Sequence, residues 1–233
     1  MTRLARIVVP GLPHHVAARG NRREPIFFED GDQEVYLDLL AEQTRKARVA
    51  VWAYCLMPNH VHLILNPADE AGLARGLGET HRRYTNFINV RGRWSGHLFQ
   101  KRFGSVVMDE AHLAAAFLYV ALNPVRARLA AKAADWPWAS TSAHLRAAGD
   151  GLVALEPLLE RMPDFADRLA AAEADGAGEA RDFQTLRSSE TTGRPAGNAE
   201  FIAGLERLLG RPLARRAPGR KPAAAPSDQP ALF

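Results

Sequence analysis

The run VAVWAYCLMPNHVHLIL, from Val49 to Leu65, constrains the fold of this 233-residue chain more than any other segment. Val49 to Met57 is apolar and rich in β-branched and aromatic residues. Pro58-Asn59 is a turn signal, and His60 to Leu65 resumes as a second apolar strand. This pattern predicts a β-hairpin.

The flanking segments extend the pattern on both sides. HHVAAR, from His14 to Arg19, is bounded by Pro13 and Gly20 and suits a strand. Asp30-Gly31-Asp32 can start a helix, with Val35, Leu37, Leu39, Leu40 and Ala47 at near-helical spacing up to Arg48. After the hairpin, Asp69 to about Arg91 reads as a second, strongly basic helix. Ser105 to Met108 reads as a short strand, and Asp109-Glu110 leads a third helix through Leu122. Asn123-Pro124 interrupts that helix, because a proline disfavours helical geometry in the residue before it. The order β-α-β-β-α-β is that of an α+β, ferredoxin-like sheet with two helices on one face. A further helix and an α-helical, partly disordered C-terminal extension follow.

Four segments are expected: 1–145, a helical acidic extension at 146–186, a linker with one short helix at 187–214, and a basic, disordered tail at 215–233. Ala130 to Ala180 is Ala-rich, with Trp136-Pro137-Trp138 as a packing knot. Residues 187–198 are Ser/Thr/Gly-rich and read as linker, while Phe201 to Leu209 is amphipathic. The tail has too many Pro, Ala and charged residues to bury a core. The single cysteine excludes a disulfide framework or a four-cysteine zinc site and fits a reducing cytosol. No stretch approaches the roughly 18 apolar residues of a membrane span, and Met1 to Pro10 lacks the apolar run of a signal peptide. A soluble, cytoplasmic and nucleoid-associated protein with no membrane partner is the expectation.

The formal charge of +4 divides unevenly. Residues 1–130 carry 17 basic and 12 acidic side chains, residues 131–186 carry 5 and 10, and residues 187–233 carry 8 and 4. Basic blocks suit a polyanionic partner, usually nucleic acid, though a solvated surface accounts for them equally well.

His60 and His62 are two apart in a predicted strand, so they share a face. Two neutral imidazoles can bind a divalent ion, while ordinary strand packing explains the pair as well. Tyr119 and Asn123 are four apart on the third helix and, at about 400° of rotation, lie on one side of it. A tyrosine there could attack a phosphodiester. Its pKa near 10 would then require a base or a metal, and Asn123 could add a carbonyl oxygen to the metal site. Packing for the tyrosine and capping for the asparagine are the bland readings.

The strings RGNRREPIFFED (Arg19 to Asp30), MPNHVHLIL (Met57 to Leu65), FQKRF (Phe99 to Phe103) and YVALNPVRA (Tyr119 to Ala127), in this order, resemble the REP-associated tyrosine transposases, a branch of the HUH single-tyrosine transposases. The resemblance covers about residues 1–145. It implies a nuclease domain in which His60 and His62, with Asn123 as third ligand, hold Mg²⁺ or Mn²⁺. Tyr119 would be the nucleophile that becomes joined to a 5′ phosphate of single-stranded hairpin DNA and frees a 3′-OH. It also implies a monomer or a homodimer.

DNA contacts are expected from Arg19, Arg22 and Arg23 after the first strand, Arg82 and Arg83 on the second helix, and Lys101 and Arg102 before the last strand. Phe99, Phe103 or Tyr84 could stack on unpaired bases. Arg215-Arg216 and Gly219 to Pro222 partly match a minor-groove-binding tail; a flexible basic linker is the alternative.

Overall fold

The computed structural model describes residues 6–175 and 181–213. Its first half runs β1 (His14–Arg19), α1 (Asp32–Ala47), β2 (Val49–Met57), β3 (His60–Pro67), α2 (Gly72–Gly92), β4 (Gly104–Val107) and α3 (Glu110–Ala121). Its second half is helical: α4 (Asn123–Arg126), α5 (Thr141–Arg146), α6 (Glu156–Arg161), α7 (Phe165–Ala174), α8 (Arg181–Thr192) and α9 (Ala199–Leu209). The strands form an antiparallel sheet of order β2-β3-β1-β4, the ferredoxin-like arrangement expected from the element order.

Strand alternation sends apolar residues to both faces, and each face has its own cover. Val16, Ala18, Val61, Leu63 and Leu65 pack with Tyr36, Leu40, Leu73, Leu77 and Ile88 of α1 and α2. On the opposite face Ala53, Cys55, Met57, Ile64 and Val106 meet Leu113, Ala116, Phe117 and Val120 of α3. A bulge at Val51/Ala53 places Trp52 on the same side as Ala53.

Local chemistry sets the boundaries. Pro58 and Asn59 are the two residues between the paired Met57 and His60. The α1 helix ends at Arg48 and α2 at Arg93, both with left-handed backbones (φ 55° and 53°). Asp109 caps α3 by accepting a hydrogen bond from the His112 N–H at 2.9 Å.

Both sheet edges are covered by later segments. Along β2, the Leu56 N–H donates to Trp138 O (2.8 Å) and the Trp136 indole donates to Leu56 O (3.0 Å), so the Trp-Pro-Trp knot seals that edge. Along β4, the Ala196 N–H donates to Val107 O at 2.9 Å, and α9 sets Leu205 against Ile7, Val9 and Val107.

The helical expectation for the Ala-rich stretch is met in short pieces, and the linker expectation needs correction. The Ala-rich stretch is broken into short helices, with Pro163 and the Gly149 and Gly151 segment between them. Residues 187–192 are not linker: α8 continues to Thr192, because Phe183, Leu186 and Ser189 are buried against the α3 layer and that packing overrides a polar, Ser/Thr-rich sequence. The tail at 215–233 lies outside the described residues. Among the described residues, no helix is long and apolar enough to cross a membrane.

Candidate active site

The β1–β3 register places Ala17 opposite His62 and Arg19 opposite His60, so His15, Ala17, Arg19, His60 and His62 all lie on the α3 face of the sheet. The His15 and His62 rings stack at 5.2 Å with 6° between their planes, and His15 Nε2 lies 3.1 Å from His62 Nδ1. His60 stands edge-on to His62 at 4.9 Å and is oriented by a 2.6 Å contact between its Nδ1 and Asn59 Oδ1. Tyr119 descends from α3 onto this group, its ring centroid 5.4 Å from His62 and 5.7 Å from His15.

The α8 helix closes the group from the other side. Glu190 Oε1 lies 3.4 Å from His15 Nδ1 and 3.7 Å from His62 Nδ1. Neither Glu190 Oε1 nor His15 Nδ1 has a hydrogen-bond partner among the described residues, although both are buried atoms. Phe183 meets the Tyr119 ring at 5.4 Å, and Arg187 hydrogen-bonds its hydroxyl. Beside these residues opens a cleft of about 180 Å³ lined by Arg19, His60, His62, Lys101, Arg102 and Glu190.

Burial sets the ionisation. It lowers His15 to about 4, and burial with the charge of Arg19 does the same to His60. His62 is lowered further by burial and by its neighbours His15, His60, Arg126 and Arg19. The imidazoles are therefore neutral near pH 7 and keep a lone pair for a cation. Burial raises Glu190 to about 7 against the pull of Arg19, Arg187 and Arg126. Burial and Glu190 also raise Tyr119 above the ordinary phenol range, opposed by Arg187 and Arg126.

Two imidazoles and a carboxylate within 4.8 Å of one another, two of them carrying unpartnered buried atoms, form a donor set that fits a divalent cation.

Residues 8–123 match the family model described as "Transposase IS200 like". Over those residues the chain belongs to the IS200-like transposase family. Membership gives it a transposase-like role in DNA processing. No curated protein is significantly similar to it. Among solved structures, it is similar to a REP-associated tyrosine transposase bound to a REP hairpin, with 17% identity, 66% of this chain and 90% of that one covered, and a TM-score of 0.55. A structure described as "a putative transposase" from Deinococcus radiodurans R1 also matches, with 20% identity, 51% of this chain and 95% of that one covered, and a TM-score of 0.37. At these identities the first likeness is one of fold.

Within this fold His60 and His62 line the cleft, and Tyr119 packs behind it against the His62 and His15 rings. Asn123 is buried one turn beyond Tyr119, and its Oδ1 accepts a hydrogen bond from Arg126 Nη2 at 2.8 Å. The expected cations fall into two groups. Arg19, Lys101 and Arg102 line the cleft, and Arg22 and Arg23 stand exposed just beyond β1. Arg82 and Arg83 lie on α2, paired with Glu79 at 2.7 Å and Glu42 at 2.8 Å, although Arg82 also lines a second cavity of about 640 Å³ together with Lys101 and Arg102.

The aromatic residues expected to stack on bases are core residues instead. Tyr84 is fully buried, donating to Ile26 O at 2.8 Å; Phe99 stacks on His81 at 4.2 Å; Phe103 is covered by Arg6 at 3.6 Å. Tyr84 therefore offers no free face, while Phe99 and Phe103 are largely buried and reach only the wall of the cavity of about 640 Å³.

His15 and Glu190 escaped the sequence reading. The signal for His15 was strand alternation, which puts it on the same face as Arg19. For Glu190 it was the spacing Phe183, Leu186, Arg187, Glu190, one helical stripe inside a polar stretch.

Proposed function

We propose that the protein is a metal-dependent single-stranded DNA endonuclease and strand transferase that cleaves and rejoins hairpin-forming repeat DNA, such as REP elements. The observation that carries this reading is the convergence of Tyr119 with the His15–His62 stack beside a cleft lined by Arg19, Lys101 and Arg102. A phosphodiester drawn into that cleft by these cations would meet the Tyr119 hydroxyl. Its oxygen forms a bond to phosphorus as it gives its proton to water, the bond from phosphorus to O3′ breaks, and the departing oxygen takes a proton back from water to leave as a 3′-OH. The strand is left joined to Tyr119 through its 5′ phosphate. Because the phosphotyrosine keeps the energy of the broken bond, the freed 3′-OH can reverse the step and rejoin DNA.

His60 and His62, with Asn123 as the third ligand implied by resemblance, would hold Mg²⁺ or Mn²⁺; His15 and Glu190 add donors on the same face. The ion would polarise the phosphate and offset charge on the departing oxygen. Arg126, 4.2 Å from the Tyr119 ring, and Arg187 favour the phenolate electrostatically.

Incubation with a labelled single-stranded hairpin and Mn²⁺ or Mg²⁺ is expected to give a protein–DNA adduct stable to denaturing electrophoresis. Tyr119→Phe should abolish it, and an equal yield from that variant would sink the assignment.

A second reading, hairpin binding without cleavage, draws on one observation: Tyr119 is 5% exposed, and Arg187 holds its hydroxyl. Binding that survives chelation, with no adduct from any hairpin, would favour it. Product released without an adduct would instead mark a phosphodiesterase that uses water.

A further inference from the structure

Phe28 and Trp94 are the exposed aromatic residues among those described, at 41% and 55% exposure, and they touch each other. Their rings meet edge to face, 5.2 Å apart at 71°. Trp94 is held by backbone as well as by Phe28. A Cβ added at Gly92 would stand 2.7 Å from Trp94 Cδ2, so the indole lies across the last residue of α2. Arg93, in the left-handed conformation, turns the chain to put it there. An indole fixed in this way loses little conformational entropy on binding, yet more than half of it remains open.

The pair is connected to the candidate active site through two loops zipped together by their backbones. The Gln100 N–H donates to Arg19 O at 2.9 Å, Gly20 bridges to Phe99, and the Asn21 N–H donates to Leu98 O at 2.8 Å. Arg19 and Gln100 line the cleft, and Phe28 and Trp94 lie further along the same two loops. Along the first loop Arg22 and Arg23 fall between Arg19 and Phe28, and in the second Arg93 directly precedes Trp94, all three exposed. None of these three arginines makes an ion pair among the described residues, whereas Arg91 close by is taken up by Asp32 and Glu29.

We propose that Phe28 and Trp94 form a stacking platform for an unpaired base of the single-stranded DNA whose backbone is followed by Arg22, Arg23 and Arg93. Aromatic faces beside uncompensated cations suit single-stranded nucleic acid, because every base has a face to stack and every linkage a charge to neutralise. The inference rests on the DNA-processing reading of the cleft and adds a second contact point to it.

The test is binding to two probes by fluorescence anisotropy, carried out on chains that also carry Tyr119→Phe so that no cleavage intervenes. The probes are a labelled hairpin with a single-stranded flank and a blunt duplex of the same stem. Trp94→Ala is expected to weaken hairpin binding about tenfold, with duplex binding changed less than about twofold. Trp94→Phe should restore most of the hairpin affinity. In the parent chain the hairpin should quench indole emission, and Trp94→Phe should remove that quenching; this readout does not depend on the fold surviving the alanine. Unchanged hairpin affinity in Trp94→Ala, an equal loss on the blunt duplex, or no hairpin binding by the parent would overturn the platform. A wild-type chain that binds the hairpin through Trp94 but forms no adduct would instead overturn the nuclease reading alone.

Discussion

His14 and His15 are neighbours in sequence and opposites in chemistry. The His14 ring is satisfied at both nitrogens: Nδ1 donates to Leu12 O at 2.8 Å, and Nε2 accepts from the Val9 N–H at 3.2 Å. His15, turned to the other face by strand alternation, leaves Nδ1 without a hydrogen bond beside Glu190. Both are held near 4 by burial, and His81 to about 3 by burial and the charge of Arg6. Unfolded histidines take up protons near pH 6.5, so the unfolded chain binds protons first as pH falls. Stability from these groups is therefore complete above about pH 6.5 and is lost progressively from there down to about pH 4 for His14 and His15 and about pH 3 for His81. The expected outcome is a lower urea midpoint at pH 5 than at pH 7, corresponding to an unfolding free energy smaller by ~1–2 kcal/mol for each buried histidine. Equal midpoints would show that the imidazoles do charge within the fold.

The α1–α2 pair shows what elements demand of single residues. Gly72 and Gly76 let the start of α2 approach the end of α1. A Cβ on Gly76 would stand 3.3 Å from Ala47 Cβ, and one on Gly72 would stand 3.2 Å from Val49 Cγ2. Gly76→Val should therefore force the helices apart and lower stability by about 1–3 kcal/mol. Thermal unfolding would measure it, and an unchanged midpoint would show that the packing there yields. Elements of this kind were legible in the sequence because their signals are local. β1 and β2 were read to the residue, since Pro13, Gly20, Arg48 and Pro58 bound runs of clear alternation or apolar character. The helix α8 was not legible, because its Ser/Thr-rich sequence has weak intrinsic preference and only burial against α3 fixes it. The candidate site divides the same way. His60-x-His62 and Tyr119-x-x-x-Asn123 are short-range patterns, whereas the approach of Glu190 to His15 spans 175 positions and leaves no local trace. Tyr84, Phe99 and Phe103 failed as stacking candidates because aromatic character does not reveal which side of an element faces the core.

Across the whole molecule, charge is arranged by pairing as much as by number. The α2 arginines are compensated by Glu79, Glu42, Asp32 and Glu29, while the end of the sheet near the cleft presents Arg19, Arg22, Arg23, Lys101 and Arg102 without ion pairs among the described residues. Replacing Arg22 and Arg23 with alanine should reduce the salt slope of single-strand binding by about 0.7 for each phosphate that is no longer neutralised; replacing Arg82 and Arg83 should change it less. Equal effects from the two pairs would contradict a polarised surface. The groups around Tyr119 come from β1, β3, α3 and α8, at positions 15, 62, 119 and 190. Synthesis adds a sense of time to that spacing. A growing chain that has passed position 119 already carries the residues of the four strands, all three site histidines and the tyrosine, but Arg187 and Glu190 have not yet been made. Until α8 is made, the Tyr119 hydroxyl lacks Arg187 and Glu190, two of the groups that set its ionisation in the finished protein.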